Sequence, residues 1–517
     1  MTEIIDPQER VFKLLEAAAT HNGHEVRRID THISSVFLAG EHAYKIKRAV
    51  RFPFLDFRTL EKRKAACEAE LKVNKAFAPE LYLRVLPITQ EAPGSLAING
   101  SGNAIEWAVE MRRFDESRTL DHLADSGEID GSLANRLGQT VATAHEVAPI
   151  VPAEPWIDAL RSFEEQNDEE LREASELFPP EETATLHAAC RAALERLRPL
   201  LVVRGRLGLI RRGHGDLHLG NIVMLGDRPV LFDAIEFDPI VAAGDVLYDL
   251  AFLLMDLVAR RQHQNANIVL NRYLEATGRV EDLDGLAALP LFLSLRAAIR
   301  AKVTAARCGL AEAPVRPAIA QSARSYFDLS RRLMKPDPPL LVAIGGLSGT
   351  GKSALAKLLA PELAPIPGAI VLRSDIERKA LFGRNESERL PPEAYLAEVS
   401  ARIYAALQHK TARSIAAGHS AIVDAVFARP AERKALADVA RKHGIHFKGI
   451  FLVASLDTRL ARVGMRGVDA SDADARIVQA QESYGLGSIE WKLIDTSGTP
   501  EETLRRSKAA IAEAVSK

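Results

Sequence analysis

The stretch Leu341-Val-Ala-Ile-Gly-Gly-Leu-Ser-Gly-Thr-Gly-Lys-Ser-Ala354 decides the fold of the C-terminal part of this chain. Its apolar start predicts a strand, the pattern GxxxxGK followed by Ser comes next, and a helix-forming segment follows. Glycines in such a turn let backbone N–H groups converge on phosphate oxygens without a Cβ clash, and the helix N-terminus adds its positive end. The stretch therefore predicts a phosphate-binding loop, made by Gly346, Ser348, Gly349, Thr350, Gly351, Lys352 and Ser353.

The residues around this loop suggest what it does with phosphate. Lys352 is expected to reach the β- and γ-phosphates of a nucleotide, and Ser353 to ligate Mg²⁺. Asp375 and Asp424 come at the ends of two later predicted strands. Because strand ends of an open parallel sheet face the ligand crevice, we expect Asp375 to accept a proton from an acceptor hydroxyl and Asp424 to hold Mg²⁺.

Two arginines, Arg462 and Arg466, lie four residues apart on a predicted helix. Arginines above a γ-phosphate stabilise the charge that develops during transfer, and both residues are candidates for that role. The alternative is that they are solvated surface side chains and that the two aspartates only cap their strands.

Three prolines in Pro336–Pro339 mark the clearest boundary, because proline removes backbone donors and disfavours helix before it. We expect a first domain over residues 1–335, a linker over 336–339 and a second domain over 340–517. Strand signals dominate to about residue 113 and helical signals over 114–335, which predicts a small β-rich lobe and a larger helical lobe. After the linker, strands alternate with helices, which predicts an α/β domain with a parallel sheet.

A second constellation lies in the first domain, where His214-Gly-Asp-Leu-His-Leu-Gly-Asn221 has the spacing HxDxxxxN. Asp233 follows an apolar run, and the motif GDxxxDLA covers Gly244–Ala251. Phosphoryl transfer needs a carboxylate near the acceptor hydroxyl and oxygen ligands for Mg²⁺. Asp216 is therefore the candidate base, and Asn221 and Asp233 are the candidate metal ligands. His214 is expected to make a structural hydrogen bond behind the loop.

The motifs HGDLHLGN, VLFDAIEFD and GDVLYDLA resemble the aminoglycoside phosphotransferase family, a branch of the protein-kinase-like fold, over about residues 10–330. The resemblance implies that Asp216 is the catalytic aspartate, that Asn221 and Asp233 bind the metal, and that Asp249 holds the catalytic loop.

The motifs GLSGTGKS, SDIERK, AIVDAVF and TRLARVGMR are similar to the small P-loop kinases of the gluconate kinase, polynucleotide kinase and zeta-toxin type. The pairing of the two resembles proteins described as bifunctional aminoglycoside phosphotransferase/ATP-binding proteins. The expected fold is an α+β protein-kinase-like bilobal domain followed by an α/β P-loop NTPase domain with a parallel sheet.

The β-rich lobe offers two lysines for the nucleotide phosphates. Lys45 and Lys47 lie on the same face of one predicted strand, and the family resemblance favours Lys47. Glu68 or Glu70 of the next predicted helix would be the ion-pair partner, and we prefer Glu70. No GxGxxG precedes this strand, so Ser34-Ser35 are expected to form the phosphate-covering turn, while 106–113 resembles the hinge that meets the base.

Composition limits the remaining possibilities. The 517 residues carry 67 Lys and Arg against 69 Asp and Glu, and this balance counts against nucleic acid as a partner. No apolar run of about 18 residues occurs, so no membrane span is expected and the cytoplasm is the expected compartment. The three cysteines are far apart and predict buried reduced thiols.

The sequence thus predicts a tandem enzyme, in which each domain passes the γ-phosphate of ATP or GTP, with Mg²⁺, to a hydroxyl of a small sugar-like acceptor. Two alternatives stay open. One domain could be a nucleotide-dependent regulatory switch for the other, or the P-loop domain could phosphorylate nucleic-acid 5′-hydroxyls. The complete set of base, lysine and metal ligands in both domains favours the first interpretation.

Overall fold

The computed structural model describes residues 7–52, 55–91, 95–465 and 470–512. The chain divides into two compact units, one made of Met1–Phe163 with Leu201–Asp256 and the other of Glu164–Leu200 with Leu257–Lys517. The second unit contains residues on both sides of Pro336–Pro339, and a domain division at that segment stays a prediction.

A six-stranded antiparallel sheet opens the first unit. The helices and strands of this part of the chain are α1 (Pro7–Glu16), β1 (Val26–Asp30), β2 (Ser34–Ala39), β3 (His42–Lys47), β4 (Arg51–Phe52), β5 (Leu55–Asp56), α2 (Leu60–Asn74), β6 (Tyr82–Gln90), β7 (Leu96–Ile98) and β8 (Asn103–Arg112). The strand order is β1-β2-β3-β8-β6-β7. Successive side chains alternate between the faces, so Phe37 packs with the residues of α1 and Leu38 packs with Cys67 of α2. The side chain of Thr59 caps α2 by accepting from Lys62 N.

The chain continues with α3 (Leu120–Asp125), α4 (Gly131–Val147), α5 (Ala153–Glu173), α6 (Pro180–Arg206), β9 (Ile210–Arg212), β10 (Ile222–Leu225), β11 (Arg228–Leu231), β12 (Ala243–Asp245) and α7 (Val246–Ala259). Strands β10 and β11 form a hairpin, and β9 pairs with β12. The loops between these strands carry the two motifs at 214–221 and 233–236. A buried ion pair between Arg204 and Asp245, 2.8 Å from Nη2 to Oδ1, fixes the start of α7.

The second unit includes four helices that follow: α8 (His263–Thr277), α9 (Val280–Gly285), α10 (Leu289–Leu310) and α11 (Arg316–Leu333). Helices α10 and α11 pack on each other, and the hydroxyls of Ser294 and Ser330 lie 2.9 Å apart in their interface. Within the described ranges, no helix is both long and apolar enough to cross a membrane.

The same unit contains the α/β fold. Its elements are β13 (Leu340–Gly345), α12 (Lys352–Leu359), β14 (Ile370–Arg373), α13 (Ser374–Leu381), α14 (Ala397–Ala416), β15 (Ala421–Asp424), α15 (Pro430–His443), β16 (His446–Val453), α16 (Leu456–Gly464), α17 (Ala475–Ala480), β17 (Lys492–Asp495) and α18 (Pro500–Ala512). All five strands are parallel, in the order β14-β15-β13-β16-β17. Val342 and Ile344 on one face of β13 and Leu341 and Ala343 on the other are all fully buried, as a sheet covered on both faces requires. The six-stranded antiparallel sheet with the mainly helical region after it, and this parallel sheet with its helices, confirm the expected fold class.

Helix α8 carries a carboxyl group with an unusual environment. Burial and the neighbouring Glu386 carboxylate raise the pKa of Glu275 to about 7, and Arg272 and Arg373 oppose this rise only in part. The folded protein therefore holds a proton on Glu275 at pH values where the unfolded chain has released it.

Stability should therefore fall as the pH rises through the interval from 4.5 to about 7. Glu275→Gln mimics the protonated carboxyl, so its melting temperature should exceed that of the wild type at pH 8, and the difference should shrink as the pH is lowered to 5. Thermal unfolding across this range measures the effect, with the exposed Glu398→Gln as the control. A difference that does not change with pH would contradict the assignment.

Candidate active sites

A cavity of about 450 Å³ in the first unit brings together both candidate lysines, Asp216 and Asp233. Its charged lining consists of Lys45, Lys47, Arg112, Arg113, Glu116, Asp216, Asp233 and Glu236. Strand β3 supplies the lysines, and the loops after β9 and β11 supply Asp216 and Asp233. The cavity thus lies where the sheet faces the two motif loops.

The two lysines of β3 share one carboxylate. Lys45 Nζ lies 2.7 Å from Glu70 Oε1, and Lys47 Nζ lies 2.7 Å from Glu70 Oε2. Burial would raise the pKa of Glu70, but the two ammonium groups outweigh it and lower that pKa to about 2. Glu68, the alternative partner, is exposed and 3.8 Å from Lys64.

Each lysine has a second, different partner. Lys45 Nζ lies 2.6 Å from Asp233 Oδ1, and Lys47 Nζ lies 2.5 Å from Glu236 Oε1. The Lys47 side chain is 1% exposed and sits against the ring of Phe57, whereas the Lys45 side chain is 14% exposed. The geometry favours Lys45 over the preferred Lys47 as the lysine that meets phosphate, because only Lys45 contacts Asp233.

The segment that carries Asp233 is fixed residue by residue. The backbone of Asp233 is left-handed, with φ of 60°, and its N–H donates to the hydroxyl of Tyr82 at 3.1 Å. Ala234 N–H donates to Asn74 Oδ1 at 2.7 Å, and Ile235 N–H donates to the carbonyl of His214 at 3.0 Å. A strained backbone persists only where its surroundings hold it, so these contacts set the direction of the Asp233 carboxylate.

Asp249 holds the backbone of the loop that carries Asp216. Its carboxylate accepts from His214 N–H at 2.8 Å and from Gly215 N–H at 2.9 Å. Burial lowers the pKa of His214, and His214 Nε2 lies 2.8 Å from the carbonyl of Phe232. His214 therefore ties the catalytic loop to the segment before Asp233.

Asn221 orients Asp216, which lines the cavity. Asn221 Nδ2 donates to the Asp216 carbonyl at 3.0 Å and to Asp216 Oδ2 at 3.1 Å. Since the amide nitrogen of Asn221 faces Asp216, its oxygen is the atom suited to a hard cation, and Asp233 adds carboxylate oxygens. The donor set fits Mg²⁺ shared with substrate phosphates.

Two details of the small lobe differ from the sequence interpretation. Ser34 and Ser35 lie inside β2, opposite Lys47 and Ile46, so they do not form the turn before β3. The turn between β2 and β3 is Gly40-Glu41, whereas Ser34, at the start of β2, lines the cavity together with Thr31 and Ile33.

The expected hinge at 106–113 also reaches the cavity only at its end. Met111, Arg112, Arg113 and Phe114 line the cavity, whereas Glu106 is buried in an ion pair with Arg63 at 2.8 Å. The residue pattern of a strand does not reveal which of its ends meets the neighbouring lobe.

The phosphate-binding loop follows β13 and ends in α12, as the motif predicts. Gly349 has φ of 84°, and a Cβ at this position would lie 2.7 Å from the backbone carbonyl oxygen of Arg459. Only glycine fits there, because both the left-handed backbone and the close approach exclude a side chain. The chain at α16 therefore packs directly on the loop.

Ser353 and Asp424 come together at the ends of the parallel strands. Ser353 Oγ donates to Asp424 Oδ2 at 2.6 Å, and Asp424 is buried. These oxygens fit Mg²⁺ held jointly with nucleotide phosphates, and in the described ranges no cluster of three or more His, Cys, Asp or Glu could hold a metal by itself. Arg373, which the sequence analysis did not select, donates to Ser353 Oγ at 3.1 Å and lies 3.5 Å from Asp424.

Asp375 occupies the first turn of α13, directly after β14. Burial and the nearby Asp424 raise its pKa, against the opposing charges of Lys352 and Arg373. A carboxylate with a raised pKa is better matched to accepting a proton near neutral pH. Lys352 extends back along the loop, with Nζ 3.2 Å from the carbonyl of Leu347.

The two candidate arginines, Arg462 and Arg466, have different outcomes. Arg462 donates to the backbone carbonyls of Thr496 and Gly498, and Thr496 Oγ1 in turn donates to the carbonyl of Thr350 at 3.0 Å. The structure thus places Arg462 on the 496–498 segment, and contact with a γ-phosphate stays a prediction. Arg466 lies outside the described residues.

Gln481 is a further residue at this site that sequence reasoning missed. Its Oε1 accepts from Ser348 N–H at 2.7 Å, and its Nε2 donates to Ser348 Oγ at 3.0 Å. One buried amide therefore holds both the backbone and the side chain of a loop residue. The two residues are 133 positions apart, so no local pattern could have indicated the pair.

Comparison with known proteins identifies the class of the two regions that carry these sites, the first half before the proline-rich segment and the second half after it. Residues 32–289 match the model of the phosphotransferase enzyme family, and residues 341–484 match the model of an AAA domain. The chain therefore combines a phosphotransferase-family domain with a P-loop domain, which confirms the resemblance drawn from the motifs.

Particular relatives and structures extend the comparison. Uncharacterised proteins of Mycobacterium bovis and Mycobacterium tuberculosis are 26% identical over 484 residues, covering 92% of this chain and 93% of theirs. A gluconokinase from Sinorhizobium meliloti is 18% identical and covers 34% of this chain and 93% of its own, with a TM-score of 0.26. A choline kinase from Cryptosporidium parvum is 11% identical and covers 64% and 96%, with a TM-score of 0.39.

The two lysines of β3 should respond differently to replacement by methionine. Lys47→Met leaves Glu70 and Glu236 buried without their shared cation, so it should lower the free energy of unfolding by about 3–5 kcal/mol in denaturant titrations. Lys45→Met should cost less stability but weaken nucleotide binding by the first unit. Lys72→Met, on the exposed face of α2, is the control. The reverse pattern would return the phosphate contact to Lys47.

Gln481→Ala removes the acceptor of the Ser348 N–H and loosens the phosphate-binding loop. We expect Mg·ATP binding at this loop to weaken about tenfold, since a lost hydrogen bond to a buried group costs about 1–3 kcal/mol. Titration of a fluorescent ATP analogue in an Asp233→Asn background isolates the loop. Gln479→Ala, exposed on α17 two residues before Gln481, should bind as tightly as the wild type. Unchanged or tighter binding by Gln481→Ala would contradict this role.

Proposed function

We propose that the chain is a tandem phosphotransferase, in which each half passes the γ-phosphate of ATP to a hydroxyl of a small sugar-like acceptor. The carrying observation is that each half gathers the same three elements. In the first half these are Lys45, the oxygen donors Asn221 and Asp233, and Asp216, and in the second they are Lys352, the oxygen donors Ser353 and Asp424, and Asp375. The family matches of both halves support the same reading.

In the first half, Asp216 is the base and Lys45 the phosphate contact. As the acceptor oxygen forms its bond to the γ-phosphorus, the bond from that phosphorus to the β-phosphate oxygen breaks, and Asp216 takes the hydroxyl proton. Burial lowers the pKa of Lys45, but the negative charges of Asp233 and Glu70 have the larger effect, so the pKa of Lys45 lies well above its ordinary value. Asn221 and Asp233 would hold Mg²⁺, which neutralises phosphate charge when bound.

In the second half, the loop from Gly346 to Ser353 surrounds the phosphates with backbone N–H groups, and Lys352 adds a positive charge. Asp375 takes the proton of the acceptor hydroxyl during the same exchange of bonds. Ser353 and Asp424 would hold the metal. Arg373 donates to Ser353 Oγ and lies 3.5 Å from Asp424, so its positive charge partly offsets the negative charge of Asp424 and of the incoming phosphates.

The test is transfer of label from γ-labelled ATP into a small-molecule extract, with mass spectrometry of the products. Wild type is compared with Asp216→Asn, Lys352→Ala and Asp227→Asn, the last an exposed turn residue that serves as control. Loss of a catalytic base reduces rates by about 10²–10⁴-fold, so Asp216→Asn should abolish one labelled product and Lys352→Ala another.

The pattern of loss separates the proposal from its alternatives. If no product is labelled while ATP still binds, the regulatory alternative is favoured. Labelled products that survive both mutations would remove Asp216 and Lys352 from the mechanism. Label found only on added oligonucleotide 5′-ends, and lost in Lys352→Ala, would identify the second half as a nucleic-acid kinase. Repeating the assay with γ-labelled GTP decides the nucleotide.

A further inference from the structure

Strand β14 is an edge strand of the parallel sheet, and its outer edge is met by side chains of α8. The carbonyl of Ala369, just before the strand, accepts from Asn267 Nδ2 at 3.0 Å and from Asn271 Nδ2 at 3.1 Å. Val371 N–H donates to Asn271 Oδ1 at 2.7 Å. Two asparagines one helical turn apart thus supply the donors and the acceptor that a neighbouring strand would supply.

This contact joins the two family matches. Helix α8 lies within residues 32–289, whereas β14 lies within residues 341–484. Both belong to the second compact unit. Asn267 is 3% exposed and Ala369 is fully buried, so the hydrogen bonds are shielded from water. Leaving such groups unsatisfied would cost about 1–3 kcal/mol each.

The helix also reaches the segment that follows the strand. Arg272 pairs with Glu386, in the loop after α13, and Arg413 of α14 pairs with Asp284 of α9. The stretch from Ala369 to Glu386 is therefore held at both ends by side chains of the phosphotransferase-family region. Arg373 and Asp375 lie between these two anchor points.

We propose that α8 is a working part of the P-loop site, in which Asn267 and Asn271 act as positioning residues for β14. Arg373 is two residues beyond Val371, about 7 Å along a strand, so a shift of β14 at Val371 moves Arg373 relative to Ser353 and Asp424. Asp375 begins the next helix and moves with it. The P-loop site then depends on a helix that precedes the proline-rich segment, and this dependence rests on the proposed nucleotide site.

The experiment measures backbone exchange and nucleotide binding in the full-length chain. Hydrogen–deuterium exchange is followed in peptides covering residues 370–375 for wild type, Asn271→Ala, Asn271→Asp and Asn265→Ala. Asn265 lies on the same helix and donates from Nδ2 to Gln262 Oε1, just before the helix, at 2.9 Å. Mg·ATP affinity of the P-loop site is measured in an Asp233→Asn background, and that of the first site in a Lys352→Ala background.

Asn271→Ala should speed exchange in 370–375 at least tenfold and weaken Mg·ATP binding at the P-loop about five- to tenfold. Binding at the first site should not change. Asn271→Asp keeps the acceptor for Val371 N–H and should be protected more than Asn271→Ala, while Asn265→Ala should match the wild type. This rescue keeps the proposal testable if Asn271→Ala fails to fold.

Two results would overturn the inference. Exchange in 370–375 that is the same in Asn271→Ala and wild type would show that α8 does not hold the strand. Faster exchange with unchanged P-loop affinity would show that the contact is structural only. A wild-type P-loop that binds no Mg·ATP would defeat the proposed function instead, and the exchange result alone would then decide whether α8 positions β14.

Discussion

One buried carboxylate, Glu70, organises the first site. A charge removed from water is tolerated only when it is paired, and Glu70 is paired with two lysines at once. Those lysines bind Asp233 and Glu236 in turn, so strand β3, helix α2 and the loop after β11 meet in a single network. Each charge in it restrains the next. The geometry around Asp233 follows from this chain of pairs more than from any local preference of its loop.

The second site meets the same electrostatic demand by different means. Its positive potential comes largely from backbone N–H groups, which need glycine to converge and need an outer layer to stay in place. Arg459 supplies that layer at Gly349, and Gln481 supplies it at Ser348. In the first site side-chain ion pairs hold the proposed phosphate contact Lys45, whereas in the second site α16 and Gln481, just after α17, hold the proposed phosphate-binding loop.

The sequence predicted what lies in short motifs and missed what lies across the fold. Asp216 and Asp233 line one cavity because two adjacent loops carry them, and Asn221 bonds to Asp216. Asp424 and Ser353 meet because both lie at the carboxyl ends of neighbouring parallel strands. The preference for Lys47 over Lys45 rested on the family resemblance alone, since residues two apart share a strand face and the sequence does not show that they differ in depth. Gln481 and Asn271 bond to partners 133 and 100 positions away, distances at which no periodicity carries information.

The contact between α8 and β14 gives a physical reason for joining the two halves in one chain. A parallel sheet with an open edge exposes unpaired backbone groups, which invites pairing with other chains. Only about six residues separate the end of α11 at Leu333 from the start of β13 at Leu340, and three of them are proline. A short, stiff connection keeps the local concentration of α8 at the sheet edge high. The asparagines can then cover β14 with two side chains, where a separate partner would have to overcome the loss of its own translational freedom.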